Sequence, residues 1–84
     1  MLTAAQMKAA RALVGMEQKF LAELSGVSLP TIQRMEASNG VVRGVIETLM
    51  KVMGALEGAG VEFINEGVAS NDGGRGVRLR RRSN

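Results

Sequence analysis

One glycine set between two short segments of helical character constrains the fold of this chain more than any other feature. Gly26 follows a stretch in which apolar Leu21 and small Ala22 lie one turn earlier, and it stands where a left-handed residue can end a helix. Ser28 is a favourable N-cap, and Pro30 falls in the first turn after it, where a missing N–H costs little. The sequence therefore predicts two short helices joined by a tight turn, the first beginning near residue 16 or 17 and the second ending near residue 37.

A longer helix is predicted on each side of this pair. Thr3 can cap a first helix that Gly15 ends, and a fourth helix is predicted from about Arg43 to Leu56. The apolar positions that recur at helical spacing are Leu2, Met7, Ala10, Leu13 and Val14 in the first helix, and Val45, Ile46, Leu49, Met50, Met53 and Leu56 in the fourth. We expect these side chains to face the core, with the methionines as adaptable filler.

After residue 60 the pattern changes to the alternation of strands. Residues 61–64 and 77–80 flank a segment from 67 to 76 that is rich in Gly, Asn, Asp and Ser, which predicts a hairpin. In one antiparallel register the charged residues Glu62, Glu66, Arg78 and Arg80 share one face, and the apolar residues Val61, Phe63, Val77 and Leu79 share the other. Because a lone two-stranded hairpin is marginally stable, it must pack on the helices or pair with a second copy.

Charge is unevenly distributed along the chain, whose formal net charge is +3. Residues 1–74 carry six basic and eight acidic side chains, and the tail then adds Arg75, Arg78, Arg80, Arg81 and Arg82. A basic tail favours a polyanionic partner. The helical part is slightly acidic, so a nucleic-acid role for that part must depend on its motifs.

The composition excludes several classes of chemistry. The chain has no Cys and no His, which removes disulfides, thiolate zinc sites and imidazole-based catalysis. No apolar run approaches the ~20 residues of a membrane span, and the first residues lack the pattern of a signal peptide. From the 84 residues we expect one small domain that is not an enzyme, has no cofactor or metal, and is cytoplasmic or associated with the nucleoid.

The helix pair resembles a known DNA-binding motif. The segment Q-K-F-L-A-E-L-S-G-V-S-L-P-T-I-Q-R-M-E-A, residues 18–37, is similar to the helix-turn-helix of the XRE family, of the phage repressor and Cro type. The likeness extends over residues 3–57, because Arg11 stands seven residues before Gln18 and because a T-I-x-R-x-E run follows the turn. It implies a mainly α fold, with a four-helix repressor-like domain over residues 1–58 and a C-terminal β-hairpin with a basic tail over residues 59–84.

The resemblance also implies a role for each matched position. Bases in the major groove would be read by Leu29, Pro30, Gln33 and Arg34. Phosphates would be bound by Gln18, Lys19, Ser28, Thr31 and Arg43. Arg11 and Glu36 would form a structural ion pair. Arginine can bond guanine through two hydrogen bonds and glutamine can bond adenine in the same way, so Arg34 and Gln33 are the expected sources of sequence readout.

These features predict a transcriptional regulator, most simply a repressor, that binds an inverted repeat in double-stranded DNA as a homodimer. The hairpin is the expected dimerisation element, through Val61, Phe63, Ile64, Val77 and Leu79. Regulation would involve competition with polymerase or a partner protein, and Phe20 is a candidate protein contact. Two alternatives stay open: an antitoxin-type module that binds a protein toxin and regulates its own gene, and a nucleoid protein that binds DNA of any sequence through its arginine tail.

Overall fold

The structure is a computed structural model that describes residues 2–65 and 74–80. Its elements are α1 (Ala4–Val14), α2 (Gln18–Ser25), α3 (Leu29–Glu36), α4 (Ile46–Gly58), β1 (Val61–Ile64) and β2 (Gly76–Leu79). The predicted fold class, mainly α with a C-terminal β-hairpin, is confirmed. Most of the predicted loop, Glu66, Arg81 and Arg82 lie outside the described residues. Within them, no helix is both long and apolar enough to cross a membrane.

Side-chain caps begin α1 and α3, and glycines end α1 and α2. The Oγ1 atom of Thr3 accepts a hydrogen bond from the backbone N–H of Gln6 at 3.1 Å, and the Gln6 side chain accepts one from the backbone N–H of Thr3 at 3.0 Å. This reciprocal pair is a capping box. Gly15 and Gly26 end α1 and α2 in the left-handed conformation, with φ of 65° and 74°. Ser28 caps α3 through its side chain, as the sequence predicts.

The start of α4 differs from the prediction. The helix begins at Ile46 rather than near Arg43, and its N-cap residue, Val45, makes no side-chain capping hydrogen bond. Since valine has no polar side-chain atom to offer, nothing in the sequence marks this start. Arg43 therefore lies in the loop that leads into α4.

The core lies between the helices and one face of the hairpin. Its fully buried large side chains are Leu2, Met7, Leu21, Ile32, Val42, Val52, Leu56 and Val61. The core-facing side of α4 is therefore defined by Val52 and Leu56, whereas Val45, Ile46 and Met50 are exposed, contrary to the predicted stripe. The prediction was wrong at these three positions because apolar residues occur around most of the circumference of α4, and periodicity alone cannot select one face. Leu13 of α1, which was also predicted to face the core, is 41% exposed.

The hairpin packs on the helices of its own chain. The register pairs Val61 with Leu79, Glu62 with Arg78 and Phe63 with Val77, so the charged residues share one face and the apolar residues share the other, as predicted. Both strands contact α1, and β1 also contacts α4.

One buried side chain of α1 anchors this hairpin. The Nε2 group of Gln6 donates hydrogen bonds to the carbonyl oxygens of Ile64, at 3.3 Å, and Gly76, at 3.1 Å. A single glutamine thus completes the cap of α1 and binds a backbone carbonyl on each strand.

This packing corrects part of the dimerisation prediction. Val61 is 0% exposed within its own chain, so its side chain cannot contact a second copy in this conformation. Phe63 and Val77 are half-buried against the same core. Among the apolar residues predicted at the dimer interface, Leu79 is the most accessible, with 54% of its surface exposed.

Candidate nucleic-acid interface

The helix pair α2 and α3 is joined by a turn of three residues. Gly26 donates its backbone N–H to the carbonyl of Ala22 at 3.0 Å, which closes the last turn of α2. Val27 is buried beneath the turn, and Leu21 and Ile32 are fully buried, one on each helix. The turn of residues 26–28 and the buried side chains of Leu21 and Ile32 hold α3 against α2.

A buried carboxylate ties α3 to the rest of the domain. The two oxygens of Glu36 accept hydrogen bonds from Nε and Nη2 of Arg11 at 2.6 Å and 2.7 Å. Nε2 of Gln18 donates to one of the same oxygens at 3.1 Å, and Nη1 of Arg11 donates to the carbonyl of Met16 at 3.0 Å. Glu36 therefore joins α1, α2 and α3, and the ion pair that the resemblance implies is present.

The hydrogen bond to Glu36 raises the pKa of Arg11 above its ordinary value. Partial burial lowers this pKa, and the opposite charge of Glu36 raises it further. The guanidinium consequently stays charged at every pH at which the domain can be studied.

The side of α3 that faces solvent carries the predicted base-reading residues. Pro30, Gln33 and Arg34 are exposed, whereas Ile32 and Glu36 are buried. At 100° per residue the three exposed positions fall on one arc, opposite the buried ones. Leu29 is half-buried at the edge of this arc, so it offers less surface than the other three.

Three polar side chains form a chain of hydrogen bonds along the first turns of α3. Ser28 Oγ donates to Thr31 Oγ1 at 2.9 Å, and Nη2 of Arg34 donates to the same Thr31 oxygen at 3.1 Å. Arginine carries five N–H donors, so this contact leaves most of the Arg34 guanidinium available. Arg34 is thus directed along the exposed side of α3 toward its N-terminal end.

A groove between the end of α3 and the start of α4 brings two cationic residues together. Its volume is about 400 Å³, and its walls include Arg34, Arg43 and Thr48. Thr48 lies in the first turn of α4, where backbone N–H groups have no partner within the helix. Sequence reasoning missed Thr48, because the helix predicted from about Arg43 placed this residue in its second turn rather than its first.

The other predicted phosphate-binding residues have mixed surroundings. Lys19 is exposed, but it lies in the same groove as Glu17 and Glu23, whose charges oppose an approaching phosphate. Gln18 is half-buried and donates to Glu36, so its first role is within the fold. Ser28 is exposed at the N-terminus of α3, where backbone N–H groups favour an anion.

In residues 2–65 and 74–80, no three acidic side chains are placed to hold a metal ion. A scan of protein-family models finds no match to this chain, and a search of curated proteins finds no similar protein.

Proposed function

We propose that this chain is a sequence-specific DNA-binding transcription regulator of the XRE type, and that α3 enters the major groove. The observation that carries the proposal is the division of α3 into two sides. Its inner side is fixed to α1 and α2 through Glu36, and its outer side presents Pro30, Gln33 and Arg34 to solvent. The major groove of B-DNA admits one α-helix, and a helix held rigidly can present the same side chains to the same base edges each time.

Arg34 carries the largest share of sequence readout in this proposal. Its guanidinium leaves Thr31 and binds O6 and N7 of a guanine through two hydrogen bonds. Gln33, on the same arc, binds adenine in the equivalent way, and Pro30 contacts the methyl group of thymine. Ser28 and Arg43 bind phosphates on either side and fix the register of the helix on the duplex.

Two copies related by a two-fold axis would read two half-sites of an inverted repeat. The centres of such half-sites are separated by one turn of DNA, about 34–36 Å. Binding at a promoter would exclude polymerase, so repression is the simplest outcome. The protein would then act in the cytoplasm, on the nucleoid.

The experiment that tests this proposal compares the DNA fragments bound by the unchanged chain with those bound by one arginine variant and one lysine variant. Sheared genomic DNA is captured by the purified chain at near-physiological salt, and the bound fragments are sequenced. We expect a small set of fragments that share an inverted repeat. Arg34→Ala should lose about 1–3 kcal/mol at one base pair of each half-site and relax the preference there. Lys8→Ala removes the same charge from the exposed surface of α1 and should leave the preferred sequence unchanged.

Other results would contradict the proposal in different ways. Recovery of all fragments alike, with steep loss as salt rises, would indicate a nucleoid protein that binds through its basic tail. An unchanged motif with Arg34→Ala would remove this residue from the readout.

A protein-binding role is the second candidate, and the exposure of Phe20 favours it. More than half of this side chain is accessible on α2, beside a groove with Glu17 and Glu23. An exposed aromatic side chain with a polar rim is typical of a protein contact. An antitoxin-type module would retain a small partner protein during purification, and Phe20→Ser would release it without changing DNA capture.

A further inference from the structure

One row of residues along the outer side of α4 begins with two bulky apolar residues and ends with two glycines. Ile46 and Met50 are 72% and 67% exposed, and Gly54 and Gly58 follow at the same four-residue spacing. Such i, i+4 positions form a ridge along a helix. Since Val52 faces the core and Gly54 lies two positions further round the helix, this ridge is on the side away from the core.

The two glycines have no evident role within the chain. A Cβ atom placed at Gly54 or Gly58 would meet nothing within 4 Å, and neither has a positive φ. Gly54 lies in the interior of α4, where glycine is less favourable than alanine, so this exposed glycine without a local reason indicates a close approach from outside; Gly58 is the last residue of the helix.

The glycine half of the row borders a groove. This groove has a volume of about 570 Å³ and a mostly apolar lining, which includes Leu24, Gly54, Ala55, Gly58 and Ala59. The same helix therefore carries protruding apolar side chains toward its N-terminal end and an apolar depression toward its C-terminal end.

We propose that the partner of this surface is a second copy of the same chain. A two-fold axis that crosses the exposed side of α4 midway between Met50 and Gly54 reverses the row, so Met50 of one copy faces Gly54 of the other. The same operation brings Ile46 opposite Gly58. Each copy then places its two protruding side chains over the depression of its partner, which is the self-complementarity that a two-fold interface requires.

The crossing angle of the two helices follows from the same row. Ridges at i, i+4 spacing are inclined by about 26° to the helix axis, so two aligned ridges require the axes to cross at about 50°. This is the commonest class of helix packing, and glycine allows the closest approach of the axes. Glu47, Lys51 and Glu57 flank the row on α4 and would form the polar rim of the contact.

The area of the face predicts a weak dimer. The exposed parts of Ile46 and Met50 amount to an apolar patch on the order of 300 Å², whereas a stable interface buries about 800 Å² per partner. The contact must therefore use the whole outer side of α4 together with the groove beside α2. By composition, residues 66–73 and 81–84 contain one large apolar residue, Val68.

The test measures the dimer constant of the full chain by sedimentation equilibrium at micromolar to millimolar concentrations. Gly54→Leu fills the depression opposite Met50 and should weaken the dimer by roughly tenfold or more. Its melting temperature at low concentration should not fall, because leucine favours helix and the added atoms face open space. Met50→Ala/Gly54→Leu restores the volume between the copies and should recover most of the association.

Two further variants complete the design. Ala12→Leu adds three of the same four side-chain carbons at an exposed position of α1 and should leave the dimer constant unchanged. Leu79→Lys places a charge on the exposed part of the hairpin and should also have little effect. A wild-type chain that remains monomeric, loss of dimer with Leu79→Lys alone, or no effect of Gly54→Leu would each overturn the inference.

The α4 contact would provide the two-fold symmetry with which the proposed regulator binds an inverted repeat. The observations that support this contact all come from the surface of α4 and the groove beside it. A monomeric Gly54→Leu chain that still prefers one half-site sequence would support both proposals. If the dimer constant responds to the variants as expected but the chain captures no DNA, the proposed α4 interface is supported and the proposed DNA-binding function is contradicted.

Discussion

The molecule uses the same pair of side chains, arginine and glutamate, in two very different places. Arg11 and Glu36 join three helices, with 19% and 4% of their side chains exposed. Arg78 and Glu62 face each other across the hairpin, with 52% and 46% exposed. Both pairs have two hydrogen bonds, at 2.6 Å and 2.7 Å in the first and at 3.0 Å and 3.1 Å in the second.

The difference between the pairs lies in what replaces the partner when it is removed. Water solvates Arg78 immediately, since this side chain is already half exposed. Arg11 without Glu36 would keep a charge in a place that water reaches poorly, and Gln18 would lose its acceptor as well. The buried pair therefore determines whether α3 is held in position, and the exposed pair mainly specifies the register of the strands.

Removal of the buried carboxylate should produce the largest effect. Glu36→Ala should lower the free energy of unfolding by about 3–5 kcal/mol, because it leaves Arg11 uncompensated. That is a large part of the 5–15 kcal/mol typical of a domain, so partial unfolding at room temperature is expected. Urea denaturation measures the change.

Two companion variants make this measurement specific. Glu23→Ala removes an exposed carboxylate from α2 and should change stability little. Arg11→Met/Glu36→Leu removes both charges and should be less harmful than Glu36→Ala. Equal losses for Glu36→Ala and Glu23→Ala would show that the buried, paired carboxylate contributes no more to stability than an exposed one.

Substitution of the glutamine that anchors the hairpin should have an intermediate effect. Gln6→Ala removes half of the capping box and leaves the carbonyls of Ile64 and Gly76 without this donor. We expect a loss of about 1–3 kcal/mol in urea denaturation. Faster amide exchange in both strands and in the first turn of α1 should accompany it. Gln33→Ala, at an exposed position, is the matched control. Faster exchange in only one of these two regions would contradict the idea that Gln6 anchors both.

The exposed pair should show the smallest effect, and it depends on pH. The hydrogen bond from Arg78, followed by its positive charge, holds the pKa of Glu62 below its ordinary value of 4.5. The small stabilisation is therefore fully present above pH 4.5 and is lost as the pH falls through the lowered pKa. An NMR titration of the Glu62 carboxyl group should show this lowered pKa, and Arg78→Ala should return it toward 4.5. A midpoint that does not move with Arg78→Ala would mean that the pair does not form in solution.

Local chemistry made much of the fold predictable. Thr3, Gly15, Gly26 and Ser28 each have a conformational or capping preference that acts within a few residues, and the ends they predict agree with the structure. The register of the hairpin was likewise predictable, since opposite charges and apolar residues alternate in phase on the two strands.

The parts that escaped prediction depend on contacts between distant residues. The face of α4 that enters the core is chosen by the elements around it, and Val52 carries no local sign of its burial. Gln6 resembles any solvent-facing glutamine until the hairpin is in place. At the candidate interface, the exposed side chains of α3 could be predicted from the sequence. The hydrogen bond from Gln18 to Glu36 could not, because it depends on the packing of three helices.

The double use of Gln6 has a consequence for the order in which the chain folds. Its partners in the hairpin lie 58 and 70 residues away, so its two outer hydrogen bonds close long loops of the chain. During synthesis α1 and its capping box leave the ribosome well before the carbonyl groups of Ile64 and Gly76. The hairpin therefore cannot dock on Gln6 until both strands have been made, and until then the apolar residues beneath it are accessible to chaperones and proteases.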